Sequence, residues 1–132
     1  MSAPATSPST PFPFDLKVFL EKPLCMRQEE SERIRAKYPH KVPIIVTRHP
    51  SDKTLPDSKK IKFLFPSNLT VGQLLYVIRK HVQVKSDTGL YIFAGEAQSL
   101  PPTAELLSSL YASYKSEDGF LYMVYAGEST FG

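Results

Sequence analysis

Apolar and polar positions alternate along this chain in blocks that change period. The strongest helical signal follows Thr70-Val71-Gly72-Gln73, where Val71, Leu74, Leu75, Ile78 and Val82 recur at helical spacing. Thr70 with Gln73 three residues on has the form of a capping box, and Arg79, Lys80 and His81 place charge near the far end. A second helix is predicted over about 24–37. Its acidic residues Glu29, Glu30 and Glu32 precede Arg33, Arg35 and Lys37, the order a helix dipole favours, and Glu29 can pair with Arg33. Its apolar stripe is thin, only Leu24, Ile34 and Tyr38, so it is expected to lie on a surface until Pro39 ends it. The piece Leu16-Lys17-Val18-Phe19-Leu20 fits one helical turn or a short strand, ended by Pro23. A third main helix is predicted after Leu100-Pro101-Pro102, capped by Thr103, with Leu106, Leu107, Leu110 and Tyr111 facing inward.

Strand signals fill the intervals. In Lys41-Val42-Pro43-Ile44-Ile45-Val46-Thr47-Arg48, Val42, Ile44 and Val46 face one way and Pro43 and Ile45 the other. Both faces are apolar, so both must be covered. The stretch 49–59 reads as a loop with Pro50, Asp52, Pro56 and Asp57 as turn formers. A second strand runs over 60–65, with Ile61, Phe63 and Phe65 on one face and Lys62 and Leu64 on the other, and the two strands are expected to form a hairpin. Residues 90–94 make a third strand, turning at Gly95. Residues 120–125 are almost all apolar, which suggests a central strand covered on both faces. From Gly127 to the end the chain is small and polar. The order of helix, strand, strand, helix, strand, helix, strand and tail predicts an α+β domain in which a β-grasp sheet wraps one helix.

A length of 132 residues with 42% hydrophobic residues supports one core. Residues 1–14 hold Pro4, Pro8, Pro11 and Pro13 with no charge before Asp15, so they predict a mobile tail rather than a secretory signal. No stretch has the length of a membrane span, so membrane attachment would be covalent or through a partner. The single cysteine, Cys25, forbids an internal disulfide, fits a reducing compartment and is expected to pack as a small, partly buried apolar residue. A net charge of +3 spread along the chain favours acidic partners or an anionic surface and does not call for nucleic acid. His40, His49 and His81 fall in different elements, and no nucleophile motif, metal spacing or phosphate loop is present. The expectation is a protein that is not an enzyme and needs no metal or cofactor.

Several segments carry a resemblance: Ile34-Arg35-Ala36-Lys37-Tyr38-Pro39, Val42-Pro43-Ile44-Ile45-Val46, Phe65-Pro66-Ser67-Asn68-Leu69-Thr70-Val71-Gly72-Gln73, Asp118-Gly119-Phe120-Leu121-Tyr122-Met123-Val124-Tyr125 and the ending Glu128-Ser129-Thr130-Phe131-Gly132. From about residue 16 to the end, the chain resembles the ubiquitin-like autophagy modifiers of the microtubule-associated light chain three and GABA-A receptor-associated protein type. The resemblance implies a ubiquitin-like β-grasp domain over 15–126 with two additional N-terminal helices, and a flexible conjugation tail over 127–132. The helix over 24–37 would cover the Pro43 and Ile45 face.

It also implies a chemistry. An activating enzyme adenylates the carboxyl of Gly132, which passes through thioesters to the amine of phosphatidylethanolamine. A cysteine protease exposes the glycine and later removes the lipid. Phe131 would anchor the tail on these enzymes. A glycine suits this task because, lacking Cβ, it enters narrow channels and accepts unusual backbone angles. Family members are often made with residues beyond this glycine, and none follow Gly132 here. The modifier would be cytoplasmic and, once lipidated, on the autophagosome membrane.

Receptors carrying an aromatic residue, two spacers and an aliphatic residue would add as a strand along 60–65. Carried over residue by residue, the aromatic pocket would use Glu30, Ile34, Pro43, Ile45, Lys62, Leu64 and Phe120. The aliphatic pocket would use Phe63, Phe65, Pro66, Leu69, Leu74, Val77 and Ile78, with Lys60 and His81 as a basic rim. Leu74 and Ile78 serve equally as core. His81 stands where members usually have Arg, and Gly119 where some have an aromatic residue. Two other readings stay open: a relative joined to a protein lysine, and an adaptor that shares the fold but is never conjugated.

Overall fold

The structure, a computed structural model, describes residues 16–58, 60–85 and 88–127. The predicted mobile tail over 1–14 and the terminal Phe131 and Gly132 lie outside these residues. Among the described residues eight elements follow in order: α1 (Leu16–Glu21), α2 (Leu24–Lys37), β1 (Lys41–Arg48), β2 (Lys62–Pro66), α3 (Val71–Val82), β3 (Leu90–Ala94), α4 (Leu107–Tyr114) and β4 (Leu121–Gly127). The strands form one mixed sheet in the order β2-β1-β4-β3. β1 pairs antiparallel with β2, as the hairpin reading expects, and parallel with β4, while β3 and β4 are antiparallel. The sheet wraps α3, giving the β-grasp arrangement with N-terminal helices.

The period-2 pattern of β1 separates two hydrophobic layers. Val42, Ile44 and Val46 join Phe63, Phe65, Ile92, Leu121, Met123 and Tyr125 under α3 and α4. Ile45 faces the opposite side, where Phe19 and Phe120 complete a smaller cluster flanked by Leu16, Ile34, Ile61 and Tyr122. The Phe19 and Phe120 rings meet edge to face with centroids 5.2 Å apart. The 16–20 piece is therefore helical, and Phe19 is its one buried residue. Both N-terminal helices cover this face, not α2 alone.

Local chemistry explains α3. The Gln73 N–H donates to Thr70 Oγ1 (3.2 Å) and the Thr70 N–H to Gln73 Oε1 (2.9 Å), completing the capping box. Other expectations need correction. Leu24 and Tyr38 are exposed, and of the predicted stripe on α2 only Ile34 packs on the sheet. Among the described residues Glu29 and Arg33 form no ion pair, and the first turn of α2 holds no acidic residue. Cys25 is exposed rather than packed. Ile61 precedes β2 and turns to the smaller cluster instead of joining Phe63 and Phe65. Thr103 does not cap α4, which begins at Leu107, and Leu106 is exposed. The first N–H groups of α4 find tertiary acceptors: Leu107 N–H donates to Leu69 O (2.8 Å) and Ser108 N–H to Ser67 O (2.9 Å). β4 reaches Gly127, beyond the predicted end at 125.

Burial at the end of β4 has a consequence in alkali. Burial pushes the Tyr125 hydroxyl up to about 12, and it donates to Pro56 O at 2.7 Å. Burial, helped by Asp118, also raises the Tyr122 hydroxyl. A tyrosine whose folded pKa lies above its unfolded value near 10 contributes stability that is complete below about pH 10 and lost as pH rises through the folded value. Urea unfolding midpoints are thus expected to hold level up to about pH 9.5 and to fall steadily above about pH 10. Tyr125→Phe should flatten part of that decline.

A candidate peptide-binding edge

Among the described residues β2 has a strand neighbour on one side only, so its outer backbone is a sheet edge. On this strand Lys62 lies opposite Ile45 and Leu64 opposite Pro43 in the antiparallel register, and directly opposed residues share a face. That face is the one covered by α1 and α2. All seven residues assigned to the aromatic pocket therefore gather there. Ile45 and Phe120 are fully buried on this face, and Ile34 packs against them.

Lys62 and Glu30 pair on this face. The Lys62 ammonium forms an ion pair with Glu30 Oε2, and Lys22 Nζ approaches Glu30 Oε1 at 3.8 Å. The same ammonium lies 5.4 Å from the centroid of Phe120 and 5.5 Å from that of Phe19. Lys62 is thus half-buried and engaged, not simply solvated. Phe19 and Lys22 contact these residues, although sequence reasoning did not place them there. The only signal was the apolar piece 16–20, whose single inward residue no pattern of that length identifies.

The residues assigned to the aliphatic pocket divide. Phe63, Phe65, Leu74 and Ile78 are buried in the main core beneath α3. Leu69 and Val77 are partly buried against that core, and Pro66 ends β2 partly exposed. The buried four make a floor, and the surface at this position belongs to Pro66, Leu69 and Val77. The two basic-rim residues meet at one ring. Lys60 Nζ lies 5.0 Å from the Phe63 centroid, and the His81 ring meets Phe63 edge to face at 5.2 Å.

Behind the aromatic floor lies a polar knot the sequence reading also missed. Asp118 is fully buried. Its Oδ2 accepts from Arg27 Nη1 (2.8 Å) and from the Tyr122 hydroxyl (2.5 Å), and its Oδ1 from the Phe120 N–H (2.9 Å). Its carbonyl accepts from the Ser31 hydroxyl, and the Gly119 carbonyl from the Tyr111 hydroxyl. Gly119 has φ +88, and a Cβ there would collide with Ser31 Oγ. This explains a glycine where an aromatic residue was the alternative. The knot ties α2 to the start of β4 and so fixes Phe120 under the site.

The comparisons agree with this architecture. The family described as "Autophagy protein Atg8 ubiquitin like" matches residues 26–132. Autophagy-related protein 8b of Arabidopsis thaliana is 49% identical over 113 residues, covering 86% of this chain and 90% of that protein. Autophagy-related protein 8 of Emericella nidulans is 49% identical over 113 residues, covering 85% and 92%. The crystal structure of Trypanosoma brucei ATG8 superposes with a TM-score of 0.79 at 35% identity, covering 90% of this chain and all of that one. With a sheet edge beside a two-helix N-terminal cover and a match running through Gly132, the chain belongs to the Atg8 family of ubiquitin-like autophagy modifiers, which are not enzymes.

Proposed function

We propose that this modifier is joined through Gly132 to phosphatidylethanolamine and that, on the autophagosome membrane, the edge of β2 recruits receptors with aromatic-x-x-aliphatic motifs. The carrying observation is the edge itself: one-sided pairing of β2, with an aromatic-floored site and two lysines beside it. An extended peptide adds its backbone to such an edge, while side chains three apart enter different pockets. Lys60 and Lys62 favour acidic residues flanking the motif. Among the described residues no helix is long and apolar enough to cross a membrane, so the lipid would supply attachment. Activating and conjugating enzymes would load the carboxyl, and a cysteine protease would process and release it. Many copies on one membrane would add avidity to modest single-site affinities.

The test is reconstitution with activating and conjugating enzymes, ATP and liposomes containing phosphatidylethanolamine. The expected product has the mass of chain plus lipid less one water. Formation of an adduct on a protein lysine alone, or of no thioester, overturns the lipid assignment.

The Glu30–Lys62 pair gives the edge a competing internal partner. A peptide with an acidic flank must take Lys62 from Glu30. Glu30→Gln is therefore expected to tighten binding of an acid-flanked peptide about three-fold, in line with the modest strength of a partly solvated ion pair. A peptide flanked by neutral residues should show no such gain. Titration calorimetry of both peptides reads the difference.

A further inference from the structure

β1 and β4 run parallel, and β1 stops first. Just beyond β1 the ladder makes one more bond, from the His49 N–H to Tyr125 O at 2.8 Å. The His49 carbonyl then turns back to accept from the Asp52 N–H at 3.0 Å. The Gly127 N–H, next in line, donates to Asp52 Oδ2 at 2.6 Å. A side-chain carboxylate thus stands where a continuing β1 would have offered a carbonyl. On its other side Gly127 registers with Leu90 of β3.

Asp52 is itself held in place. It is 1% exposed, and its Oδ1 accepts from the Thr54 N–H (2.8 Å), the Leu55 N–H (2.9 Å) and the Thr54 hydroxyl (3.2 Å). The loop around it is tied to the sheet: Arg48 Nη1 donates to Leu55 O (2.7 Å) and Tyr125 to Pro56 O (2.7 Å). A Cβ on Gly127 would stand 3.3 Å from Asp52 Oδ2 and 3.3 Å from Leu55 Cγ, so little room remains around the chain at this point.

We propose that Asp52 is a positioning residue for conjugation: by gripping the Gly127 N–H it fixes the place and direction of the end of β4, from which the chain runs on to Gly132. This rests on the reading of Gly132 as the conjugated residue. Without the grip, 126–127 can leave the sheet, and the last fixed point before Gly132 moves back by two residues. With seven residues instead of five between that point and Gly132, the −3/2 power of length lowers the effective concentration of the reacting end about 1.7-fold. If one more residue must be ordered when the tail enters an enzyme, the loss approaches about ten-fold.

Asp52→Asn isolates the grip. Its amide oxygen keeps the Thr54 and Leu55 N–H groups, while its NH₂ faces the Gly127 N–H, and two donors cannot bond. In the full chain, Gly127 amide exchange is expected to quicken about ten-fold or more. The kcat/KM of conjugation to phosphatidylethanolamine liposomes is expected to fall about 1.7- to ten-fold, with the loss in KM. Motif-peptide affinity at β2 should be unchanged, which a general loosening of the fold would not allow. The proposal is overturned by unchanged Gly127 exchange, by an unchanged kcat/KM of conjugation, or by an equal loss of peptide binding. If the unsubstituted chain is not conjugated, it is the Gly132 reading that has failed; if it is conjugated and the variant matches it, the grip alone has failed.

Discussion

Asp118→Ala is expected to lower the stability of the domain by about 3–5 kcal/mol, the usual result of removing one partner of a buried ion pair. Three donors converge on this carboxylate, and it is fully buried. Its loss leaves Arg27, whose side chain is 16% exposed, without its carboxylate. It also leaves the Phe120 N–H and Tyr122 hydroxyl without their acceptor in the interior. The thermal midpoint should drop by on the order of 10 °C. Asp118→Asn keeps an acceptor for the Phe120 N–H and should cost less. A cycle with Arg27→Met, which retains the aliphatic stem, should give a coupling between the two sites of about 1–3 kcal/mol. Additivity of the two changes would mean that Asp118 acts through the Phe120 N–H and the Tyr122 hydroxyl and not through Arg27.

The knot also shows which parts of the site were legible in the sequence. The alternation of β1 identified both faces, and with it Ile45 and Pro43 as residues needing a cover. The capping box announced α3 because its donors and acceptors lie within four residues. Neither signal needs knowledge of distant contacts. Asp118 and Arg27 are 91 positions apart, and nothing local distinguishes this aspartate from a solvated turn residue. Phe19 sits in a helix of six residues, too short for periodicity to reveal its inward side. The start of α4 was misplaced for the same reason. Thr103 is a good local cap, but its carbonyl accepts from the Gly72 N–H at 2.9 Å, and the helix takes its acceptors from Leu69 and Ser67. Tertiary bonding overrode local propensity. The edge position of β2 follows from sheet order, which the resemblance implied and periodicity alone did not fix.

Deleting Gly132 is expected to reduce conjugation by at least about 100-fold while leaving the fold and the β2 edge intact. Removal of one residue draws the terminal carboxylate back by about 3.5 Å along an extended chain. An error of about 1 Å in the position of a reacting group can already cost 100-fold. The new terminus would be Phe131, whose side chain hinders a channel that a residue without Cβ can enter. Gly132→Ala keeps the length and adds only a methyl group, so it should retain more activity than the deletion. Formation of the thioester with the activating enzyme, read on non-reducing gels, separates a failure of loading from a failure of transfer. The last strand ends at Gly127, five residues before the terminus, and the peptide edge lies on the strand farthest from β3. Thermal midpoint and motif-peptide affinity should therefore match the unsubstituted chain. A deletion variant still lipidated at the normal rate would place the reactive carboxyl elsewhere. One that lost peptide binding in parallel would tie the terminus to the fold, and conjugation and recruitment would then not be separable properties of this domain.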